Sequence, residues 1–399
     1  MKIIFYKESF LNSINYLYFC LKSRKKMQVI CYACNKVEQF DPTIYHCKCG
    51  GAWEPIETDV FDPSDINRDE NSVWRYKNML GLDEIKSEIS LSAGWTPTLH
   101  SEWEGHQVLF KLEYISPTGS FKDRGTEVEM NYLKSAGVKR IVEDSSGNAG
   151  ASVAAYAART GLKANIFAPE SASPEKLAQI QVYGATLHRI AGPRIESTLA
   201  ALKAIEEGAV YASHAFNPVY LLGQQTAAWE IWEQTRGPLP DAVVIPVGQC
   251  GLLMGLWLGF RCLLNAGVIK KLPRLFAAQP ERLAPIHQAF INDLEDIPTA
   301  RPTETSIAEG LAIVKPVRSK RILQALRESE GGTVIVSEDQ IRTAYRNLAK
   351  RGLFAEPTSA VAAAAIEGVR EKTGNNALIL ATLTGSGLKS SILSEGLVG

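Results

Sequence analysis

The sequence predicts an α/β protein built on a parallel sheet. From about residue 73 onward, short apolar runs rich in Val and Ile alternate with longer segments whose apolar residues recur three and four positions apart. Successive strands joined by helices require crossover connections, which give parallel pairing beneath a layer of helices. The chain has 399 residues, of which 45% are hydrophobic, so it can bury a large core and is long enough for two or more lobes.

Strands and helices follow from these two periodicities. In chain order, the predicted strands are 108–112, 140–143, 164–168, 186–190, 242–246, 275–279, 333–336 and 377–381. The predicted helices are 126–135, 149–160, 174–183, 195–206, 221–235, 252–264, 339–351 and 359–372. No fixed-period repeat or low-complexity linker separates them, so we expect the lobes to be closely connected.

The charge balance and the positions of the cysteines limit the partners and the cellular location that we expect for the protein. The chain carries 43 basic and 43 acidic residues, so there is no electrostatic reason to expect nucleic acid or an acidic membrane as a partner. Four of the seven cysteines lie between residues 31 and 49, which is not the pattern of a disulfide scaffold. Clustered cysteines in a long chain are typical of metal or redox sites, and we therefore expect a cytoplasmic protein.

The first 26 residues allow two interpretations. Residues 3–20 are rich in Phe, Tyr, Leu and Ile and a basic run follows at 22–26, which could be a membrane anchor. However, Lys7 and Glu8 interrupt the apolar stretch, the basic residues come after it, and no small-residue cleavage site is evident. We therefore expect no membrane partner, a true start at Met27, and an upstream extension before it.

Glycine-rich turns between a predicted strand and a helix are candidate sites, and three stretches qualify. The first, at 116–125, reads Ser-Pro-Thr-Gly-Ser-Phe-Lys-Asp-Arg-Gly. Its Lys122 would be a reactive amine if burial or a neighbouring cation such as Arg124 lowers its pKa. Taken alone, a lysine at a helix start is more often a solvated surface residue.

The other two turns offer hydrogen-bond donors. Residues 144–152 read Asp-Ser-Ser-Gly-Asn-Ala-Gly-Ala-Ser, whose hydroxyls and backbone N–H groups suit a carboxylate and whose amide suits a ring oxygen. Residues 246–253, Pro-Val-Gly-Gln-Cys-Gly-Leu-Leu, could enclose a phosphate. Each has an ordinary alternative, an N-cap for the first and a simple turn for the second.

Together, and in this order, the motifs resemble the tryptophan-synthase-β-like superfamily of fold type II pyridoxal-phosphate enzymes. The first motif and the stretch Leu-Thr-Gly-Ser-Gly-Leu-Lys at 383–389 are most similar to the threonine synthase family. The resemblance implies a Schiff base between Lys122 and pyridoxal 5'-phosphate. It also implies cofactor contacts at Asn148, Gly248, Gln249, Cys250, Gly251, Leu252 and Thr384, and substrate-carboxylate contacts at Ser145, Ser146, Gly147 and Ala149.

The same resemblance divides the chain into lobes. It implies a large cofactor-binding lobe formed by residues 61–125 and 218–399 and a small lobe formed by residues 126–217. The cofactor would lie in the cleft between them. A homodimer is a further expectation from the resemblance.

An N-terminal segment, 27–60, is similar to the zinc ribbon that many threonine-synthase-like chains carry. Its implied ligands are Cys31, Cys34, Cys47 and Cys49. Only one residue separates the second pair, so two alternatives stay open: His46 as a substitute ligand, and reduced cysteines without metal. A zinc ion held by four thiolates would be structural, because no ligand position is left for chemistry.

The substrate is less clearly indicated than the cofactor. Threonine synthases usually carry Asn-Pro-Tyr-Arg-Leu-Glu-Gly-Gln-Lys-Thr, whose arginine helps to hold the phosphate of O-phosphohomoserine, whereas residues 217–226 read Asn-Pro-Val-Tyr-Leu-Leu-Gly-Gln-Gln-Thr. Tyr220 thus replaces the arginine, and Gln225 replaces the lysine. This should weaken phosphate binding unless Arg194 or Arg124 compensates.

Three functions are compatible with these residues. The first is a threonine-synthase-type lyase that converts O-phosphohomoserine and water to threonine and phosphate through a Lys122 Schiff base. The second is a serine/threonine dehydratase or a β-replacement synthase, which residues 251–255 and 306–312 resemble more closely. The third is a non-catalytic binding protein, which the joint presence of Lys122, Asn148 and Thr384 argues against. We expect the first, acting on a small-molecule amino acid.

Overall fold

Three sheets organise the part of the chain that the computed structural model describes, residues 27–56, 61–172, 174–302 and 304–389. The strands are β1 (Gln28–Cys31), β2 (Lys36–Gln39), β3 (Glu54–Pro55), β4 (Thr98–Trp103), β5 (His106–Lys111), β6 (Arg140–Glu143), β7 (Lys163–Pro169), β8 (Thr186–Ile190), β9 (Val210–Tyr211), β10 (Ala242–Pro246), β11 (Arg274–Pro280), β12 (Gly332–Val336) and β13 (Ile379–Thr382). The predicted N-terminal extension, residues 1–26, lies outside the described residues.

Eleven α-helices connect and cover the strands within the described ranges. They are α1 (Lys122–Ser135), α2 (Asn148–Thr160), α3 (Pro174–Val182), α4 (Arg194–Glu206), α5 (Pro218–Thr235), α6 (Gly251–Asn265), α7 (Pro285–Ile291), α8 (Ser319–Glu328), α9 (Glu338–Lys350), α10 (Pro357–Ala364) and α11 (Ile366–Thr373). None of the helices in this part of the chain has both the length and the apolar character that a membrane crossing needs.

The largest sheet has six strands in the order β12–β11–β10–β13–β5–β4. Its pairs are parallel except the edge pair of β4 and β5, which is antiparallel. A second sheet, β8–β7–β6–β9, is parallel throughout and runs from Arg140 to Tyr211. The predicted α/β class with parallel sheets is confirmed, and the exact lobe boundaries stay a prediction.

The predicted elements appear at their predicted places, with shifts at the ends. The predicted strand 377–381 begins only at Ile379, and the predicted helix 359–372 is two helices that meet at Ala365. The pattern missed β4 because this edge strand is largely exposed and therefore lacks a row of apolar residues. It also missed the short strand β9 and the helices α7 and α8.

The large sheet is buried on both faces. Val243 and Ile245 belong to one hydrophobic cluster, whereas Ala242 and Val244 belong to another, because successive side chains of a strand point to opposite faces. A strand with two covered faces is apolar throughout, as β10 is. Polar side chains therefore gather at the ends of the strands, where the turns begin.

The antiparallel sheet of β1, β2 and β3 belongs to residues 27–56, which we call the ribbon segment. Two arginines attach it to the rest of the molecule. Arg321 Nε donates to Glu54 Oε2 at 3.0 Å, and its guanidinium carbon lies 3.6 Å from the centre of the Tyr32 ring. Arg318 donates to the carbonyl oxygen of Trp53 at 2.9 Å. These contacts add to the apolar side chains of the segment, such as Val29 and Trp53, which belong to the main hydrophobic cluster of the molecule.

Candidate active site

One cavity of about 240 Å³ brings the predicted site residues together. It lies where strands of both parallel sheets end and glycine-containing turns begin. Parallel strands bring their carboxyl ends to one edge of a sheet, which explains why the turns after β5, β10 and β13 of the six-stranded sheet meet here, and the second sheet adds the turn after β6. The lining includes Lys122, Ser145, Ser146, Gly147, Asn148, Ala149, Gly248, Gln249, Cys250, Gly251, Leu252 and Thr384.

Lys122 is the first residue of α1 and forms part of the cavity wall. Burial is the main reason that the pKa of its amine is lowered to about 8. The charge of Arg194 acts in the same direction, whereas the carboxylates of Glu143 and Glu356 oppose it. A larger fraction of this amine is therefore neutral, and so nucleophilic, than in an ordinary lysine.

Arg124 is not the cation beside Lys122, so this sequence prediction is wrong. Its guanidinium is fully buried in an ion-pair network, where Nε donates to Glu113 Oε2 at 2.6 Å and Nη2 to Glu230 Oε2 at 2.7 Å. Residues two apart on a helix point in very different directions, so neighbours in the motif do not share a site. Arg124 is absent from the cavity lining and cannot serve a substrate there.

The turn from β6 into α2 presents backbone N–H groups to the cavity. Gly150 permits this tight turn, because a Cβ at that residue would lie 1.9 Å from the carbonyl oxygen of Ser145. The N–H of Gly147 lies 3.3 Å from Ser145 Oγ. The side chain of Asn148 donates to both carboxylate oxygens of Glu356, at 3.1 and 3.2 Å. The turn suits an anion, and Asn148 is oriented by an acidic partner that the motif did not indicate.

The turn from β10 into α6, residues 248–252, forms part of the cavity wall, and we call it the cradle. Cys250 has a φ of 63°, in the left-handed region, immediately before the helix begins at Gly251. A Cβ at Gly248 would lie 3.1 Å from Ile313 Cγ1, and one at Gly251 would lie 3.2 Å from Tyr220 Cε1. Close approach of neighbouring groups therefore explains these glycines. The N-terminus of α6 faces the cavity, and its first N–H groups, which have no partner within the helix, are suited to a phosphate.

Thr384 closes the cavity with a neutral hydroxyl. Its Oγ1 lies 3.2 Å from Ser359 Oγ, and its carbonyl oxygen accepts a hydrogen bond from the N–H of Phe121 at 2.9 Å. The side chain is 2% exposed. Two hydroxyls in contact offer a hydrogen bond to a ring nitrogen without the full negative charge that would hold a proton on it.

Four further titratable or charged residues line the cavity, and none was predicted as a site residue: Arg194, His214, Glu309 and Glu356. From the sequence, we considered Arg194 only as a cation that compensates for the arginine replaced by Tyr220. His214 Nδ1 lies 3.0 Å from Glu143 Oε1, a partner 71 positions away. No local motif marks a pair that only the folded chain brings together.

The residues that differ from the threonine synthase pattern lie outside the cavity lining. Tyr220 is fully buried, and its ring packs so closely on Gly125 that a Cβ there would lie 2.3 Å from Tyr220 Cδ2. Gln225 lies beside Pro55 in a different, much smaller cavity. Of the two cations proposed to compensate for the missing arginine, only Arg194 lines the active-site cavity.

The cysteines of the ribbon segment form a compact cluster. The sulfur atoms of Cys31, Cys34, Cys47 and Cys49 all lie within 4.8 Å of one another. Two of the S–S distances are 3.5 and 3.6 Å, close to the roughly 3.8 Å that four Zn–S bonds of about 2.3 Å produce in a tetrahedron. His46 instead has its Nδ1 2.7 Å from the carbonyl oxygen of Cys47. The donor set fits zinc held by four thiolates.

Known relatives share most of the chain. It is 34% identical over 374 residues to a threonine synthase from Methanocaldococcus jannaschii, an alignment that covers 90% of this chain and 92% of the relative. It is 35% identical to a threonine synthase from a Bacillus species over 79% of this chain and 89% of the relative. A threonine synthase from Synechocystis is 32% identical over 84% of this chain and 87% of the relative.

Solved structures with the same fold carry other activities in their names. A threonine deaminase from T.th. matches with a TM-score of 0.64 and 28% identity, covering 73% of this chain and 92% of that one. The serine racemase of Dictyostelium discoideum matches with a TM-score of 0.62 and 26% identity, over 73% of this chain and 92% of that one. A family model described as pyridoxal-phosphate dependent enzyme matches residues 89–385. The lysine cavity and the two glycine-containing turns lie inside that range, and the chain belongs to the family of pyridoxal-phosphate-dependent enzymes.

Proposed function

We propose that this pyridoxal-phosphate-dependent lyase converts O-phosphohomoserine and water to threonine and phosphate. The observation that carries the proposal is Lys122, an amine with a lowered pKa between two turns suited to anions. Relatives named threonine synthase, aligned over most of the chain, favour this reaction among those of the family.

The residues of the cavity fit pyridoxal phosphate. Lys122 would hold its aldehyde, the cradle of residues 248–252 would hold its phosphate, and Asn148 and Thr384 would lie along its ring. When bound, the cofactor withdraws electrons from the α carbon of an amino acid. The turn at 145–149 would orient the substrate through its carboxylate, and the freed Nζ of Lys122 would accept the α proton and return it later.

Arg194 is our candidate for holding the substrate phosphate. It is half-exposed at the start of α4, and it lines the cavity, unlike Tyr220 and Gln225. Its guanidinium lies 4.0 Å from Asp144, a long contact that leaves donors for a second anion. We therefore propose that the cation has moved to a different element of the chain.

A dehydratase or β-replacement reaction is the second candidate. The buried Tyr220 in place of the phosphate-binding arginine favours it, because a hydroxyl leaving group needs no such cation. The similarity to a threonine deaminase at 28% identity points in the same direction.

The decisive experiment incubates the cofactor-loaded enzyme with O-phosphohomoserine and measures phosphate and threonine together. Release of both in equal amounts supports the threonine synthase reaction. No release from protein whose lysine-bound cofactor absorbance is intact would reject it and favour the second candidate, to be screened with serine and threonine derivatives.

A matched pair of arginine variants tests the phosphate contact. We expect Arg194→Gln to raise KM for O-phosphohomoserine about tenfold or more, because a charged hydrogen bond is lost. Arg189→Gln, on the exposed side of β8 and outside the cavity, should leave KM unchanged. Equal KM values for both variants would exclude Arg194 as the phosphate ligand.

We also propose a structural zinc ion in the ribbon segment, coordinated by Cys31, Cys34, Cys47 and Cys49. The compact sulfur cluster supports it. The cytoplasmic location, the homodimer and the two-lobe division at residues 126 and 217 stay predictions from the sequence, as does the expectation that nucleic acid is not a partner.

A further inference from the structure

A buried glutamate and a histidine form a pair at the wall of the cavity. Glu143 ends β6, and His214 follows β9, the strand that pairs with β6 in the small parallel sheet. His214 Nδ1 lies 3.0 Å from Glu143 Oε1. The histidine is 11% exposed and lines the cavity, whereas the glutamate is fully buried behind it. Because Nδ1 is used by Glu143, Nε2 is the nitrogen left for a ligand in the cavity.

The glutamate is not explained by the packing of the core. Its second oxygen, Oε2, is buried and has no hydrogen-bond partner among the described residues. Leaving a carboxylate oxygen unpaired in the interior costs roughly 1–3 kcal/mol or more. Such a cost at the wall of an active site is typical of a functional group rather than of a structural one.

Burial opposes charge on both members of the pair. It raises the pKa of Glu143 well above its ordinary value and lowers the pKa of His214 well below its own. A proton that reaches the pair is therefore more stable on the carboxyl group than on the imidazole ring. Other charged groups that act on the pair are Lys122 and Glu129 on α1, Asp144 after β6, Arg194 on α4 and Arg318 before α8.

We propose that His214 transfers the proton to and from the oxygen that is joined to, or released from, the β carbon, and that Glu143 is the positioning residue that stores that proton. Lys122 is already assigned to the α carbon. A lyase that makes or breaks a carbon–oxygen bond at the next carbon must also move a proton at that oxygen, and a second group can do this while Lys122 serves the α carbon. Among the titratable residues that line the cavity, His214 suits this role because its ring contacts a fully buried carboxyl group.

Protons balance both when water is added to the β carbon and when water is lost from it. When water adds to a double bond between the α and β carbons, its oxygen forms the bond to the β carbon and the π electron pair moves to the α carbon, which receives its proton from Lys122 Nζ. One proton of the water goes to His214 Nε2, and the proton on Nδ1 passes to the ionised Glu143, from which it is later released to solvent. When a β-hydroxyl is eliminated, the electron pair of the carbon–oxygen bond leaves with the oxygen, Nε2 supplies the proton that makes it water, and the protonated Glu143 reprotonates Nδ1.

The inference rests on the proposed function only in that the reaction forms or breaks a bond between oxygen and the β carbon. Water addition in the threonine synthase reaction and water loss in a dehydratase are opposite directions of the same step. The proposal therefore holds for both, and it gives the pair no role in cofactor binding.

The test compares three variants of the cofactor-loaded enzyme: His214→Asn, Glu143→Gln and the control His188→Asn. His188 is also a hydrogen-bonded histidine of the small sheet, with Nε2 2.9 Å from Asn165 Oδ1, but it is outside the cavity. Two rates are measured with O-phosphohomoserine and with L-threonine: product formation, and exchange of the α proton with deuterium from solvent.

We expect His214→Asn to lower product formation by about 10²-fold or more while α-proton exchange stays close to the wild-type rate. Glu143→Gln should lower kcat more than it changes KM. It should also remove the limb of the pH–rate profile that reflects titration of the Glu143–His214 pair. That limb rises with pH when water adds, because the pair must accept a proton, and falls with pH when water is lost. His188→Asn should change neither rate.

Parallel loss of both rates in His214→Asn, or no loss in either, would overturn the proposal. So would a wild-type enzyme that exchanges the α proton of both amino acids but makes and breaks no carbon–oxygen bond. If L-threonine is deaminated while O-phosphohomoserine releases nothing, the threonine synthase proposal fails, and the variants still decide the role of the pair.

The protonation state of His214 can also be followed directly, in the absence of substrate turnover. The histidines are labelled with ¹⁵N, and the ring signals are followed against pH in the wild type and in Glu143→Gln. We expect His214 to stay neutral down to low pH in the wild type and its Nδ1 signal to change in the variant. Titration of His214 at the ordinary pKa in both proteins would contradict proton storage on Glu143.

Discussion

Burial makes Lys122 nucleophilic near neutral pH, before any substrate is involved. Its pKa is lowered from the ordinary 10.5 to about 8, so the neutral fraction at pH 7 is about 300 times that of an exposed lysine. We expect the rate at which pyridoxal phosphate attaches to the cofactor-free protein to rise with pH up to about 8 and then level off. Stopped-flow absorbance over a pH series measures this rate. A rise that continues unchanged to pH 10 would contradict the lowered pKa.

Replacing the lysine tests its assigned role directly. We expect Lys122→Ala to lose both the lysine-bound cofactor absorbance and turnover, because no other amine lines the cavity among the described residues. Lys134→Ala is the control, since that lysine lies in the last turn of the same helix and bonds to the carbonyl of Thr160. Substantial remaining turnover in Lys122→Ala would reject the mechanism.

The side chain that packs against Gly125, rather than the backbone conformation of Gly125 itself, explains why this residue is a glycine. An alanine in a helix normally gains about 1 kcal/mol over glycine, but here the added methyl group would lie 2.3 Å from the buried Tyr220 ring. Overpacking costs roughly 1–3 kcal/mol, so we expect Gly125→Ala to lower the free energy of unfolding.

Tyr220→Ala removes the ring atoms nearest to Gly125, including Cγ, so Gly125→Ala should be neutral or stabilising in that background. Urea unfolding of the four proteins of the double-mutant cycle measures both changes. An equal loss of stability in both backgrounds would show that the contact with Tyr220 is not the cause.

A residue of the site could be predicted from sequence when it lies within one short motif. Lys122 and Asn148 lie in short glycine-containing turns whose local sequence indicates their place in the fold. Glu143 and His214 could not be found in this way, because their contact spans 71 positions. Arg124 shows the opposite error, since two residues adjacent in a motif point to different sides of one helix.

Among the elements, the strands with an apolar pattern over several residues were predictable, and the short or polar ones were not. The strand β10 is apolar at every position because both of its faces are covered, and this pattern alone identifies it. The edge strand β4 carries mainly exposed polar residues, so its pairing with β5 depends on backbone hydrogen bonds that no periodicity reveals. Length and apolar pattern, rather than burial alone, decided which strands the sequence showed, because the two-residue strand β9 is buried and was missed.

The ribbon segment and the cavity are formed by separate elements, so a change in one should spare the other. We expect Cys34→Ser to lose most of the bound zinc but to retain the lysine-bound cofactor absorbance, because the sulfur cluster and the cavity are formed by separate elements. The control is Cys262→Ser, a buried cysteine on α6 outside the cluster, which should keep its zinc. Equal metal content in the two variants would refute the assigned ligands.

At the scale of the whole molecule, parallel pairing explains only part of the meeting of the motifs. The stretches 116–125 and 246–253 follow strands of the six-stranded sheet and therefore lie at one of its edges, whereas 144–152 follows a strand of the second sheet. That the two sheets contribute to one cleft was an expectation from the family resemblance. The attachment of the ribbon segment could not be predicted, because it depends on buried side chains from distant parts of the chain. Arg318 is the clearest case.

Arg318 joins three parts of the molecule at once. It is 6% exposed and donates to the carbonyl oxygens of Trp53 in the ribbon segment and of Ala215 and Phe216 beside His214. A lysine keeps the charge but cannot reach three carbonyl groups with one ammonium group, so buried acceptors would be left unpaired. The ribbon segment and the histidine side of the cavity therefore share one buried contact.

We expect Arg318→Lys to lower the free energy of unfolding by about 2–4 kcal/mol and to make zinc easier to remove with a chelator. The same substitution at Arg327, an exposed residue that bonds Asp293, should cost less than about 1 kcal/mol. Urea unfolding midpoints and the rate of zinc loss to a chelator measure the two effects. If the two variants lose equal stability and release zinc at the same rate, the three carbonyl contacts of Arg318 do not hold the ribbon segment in place.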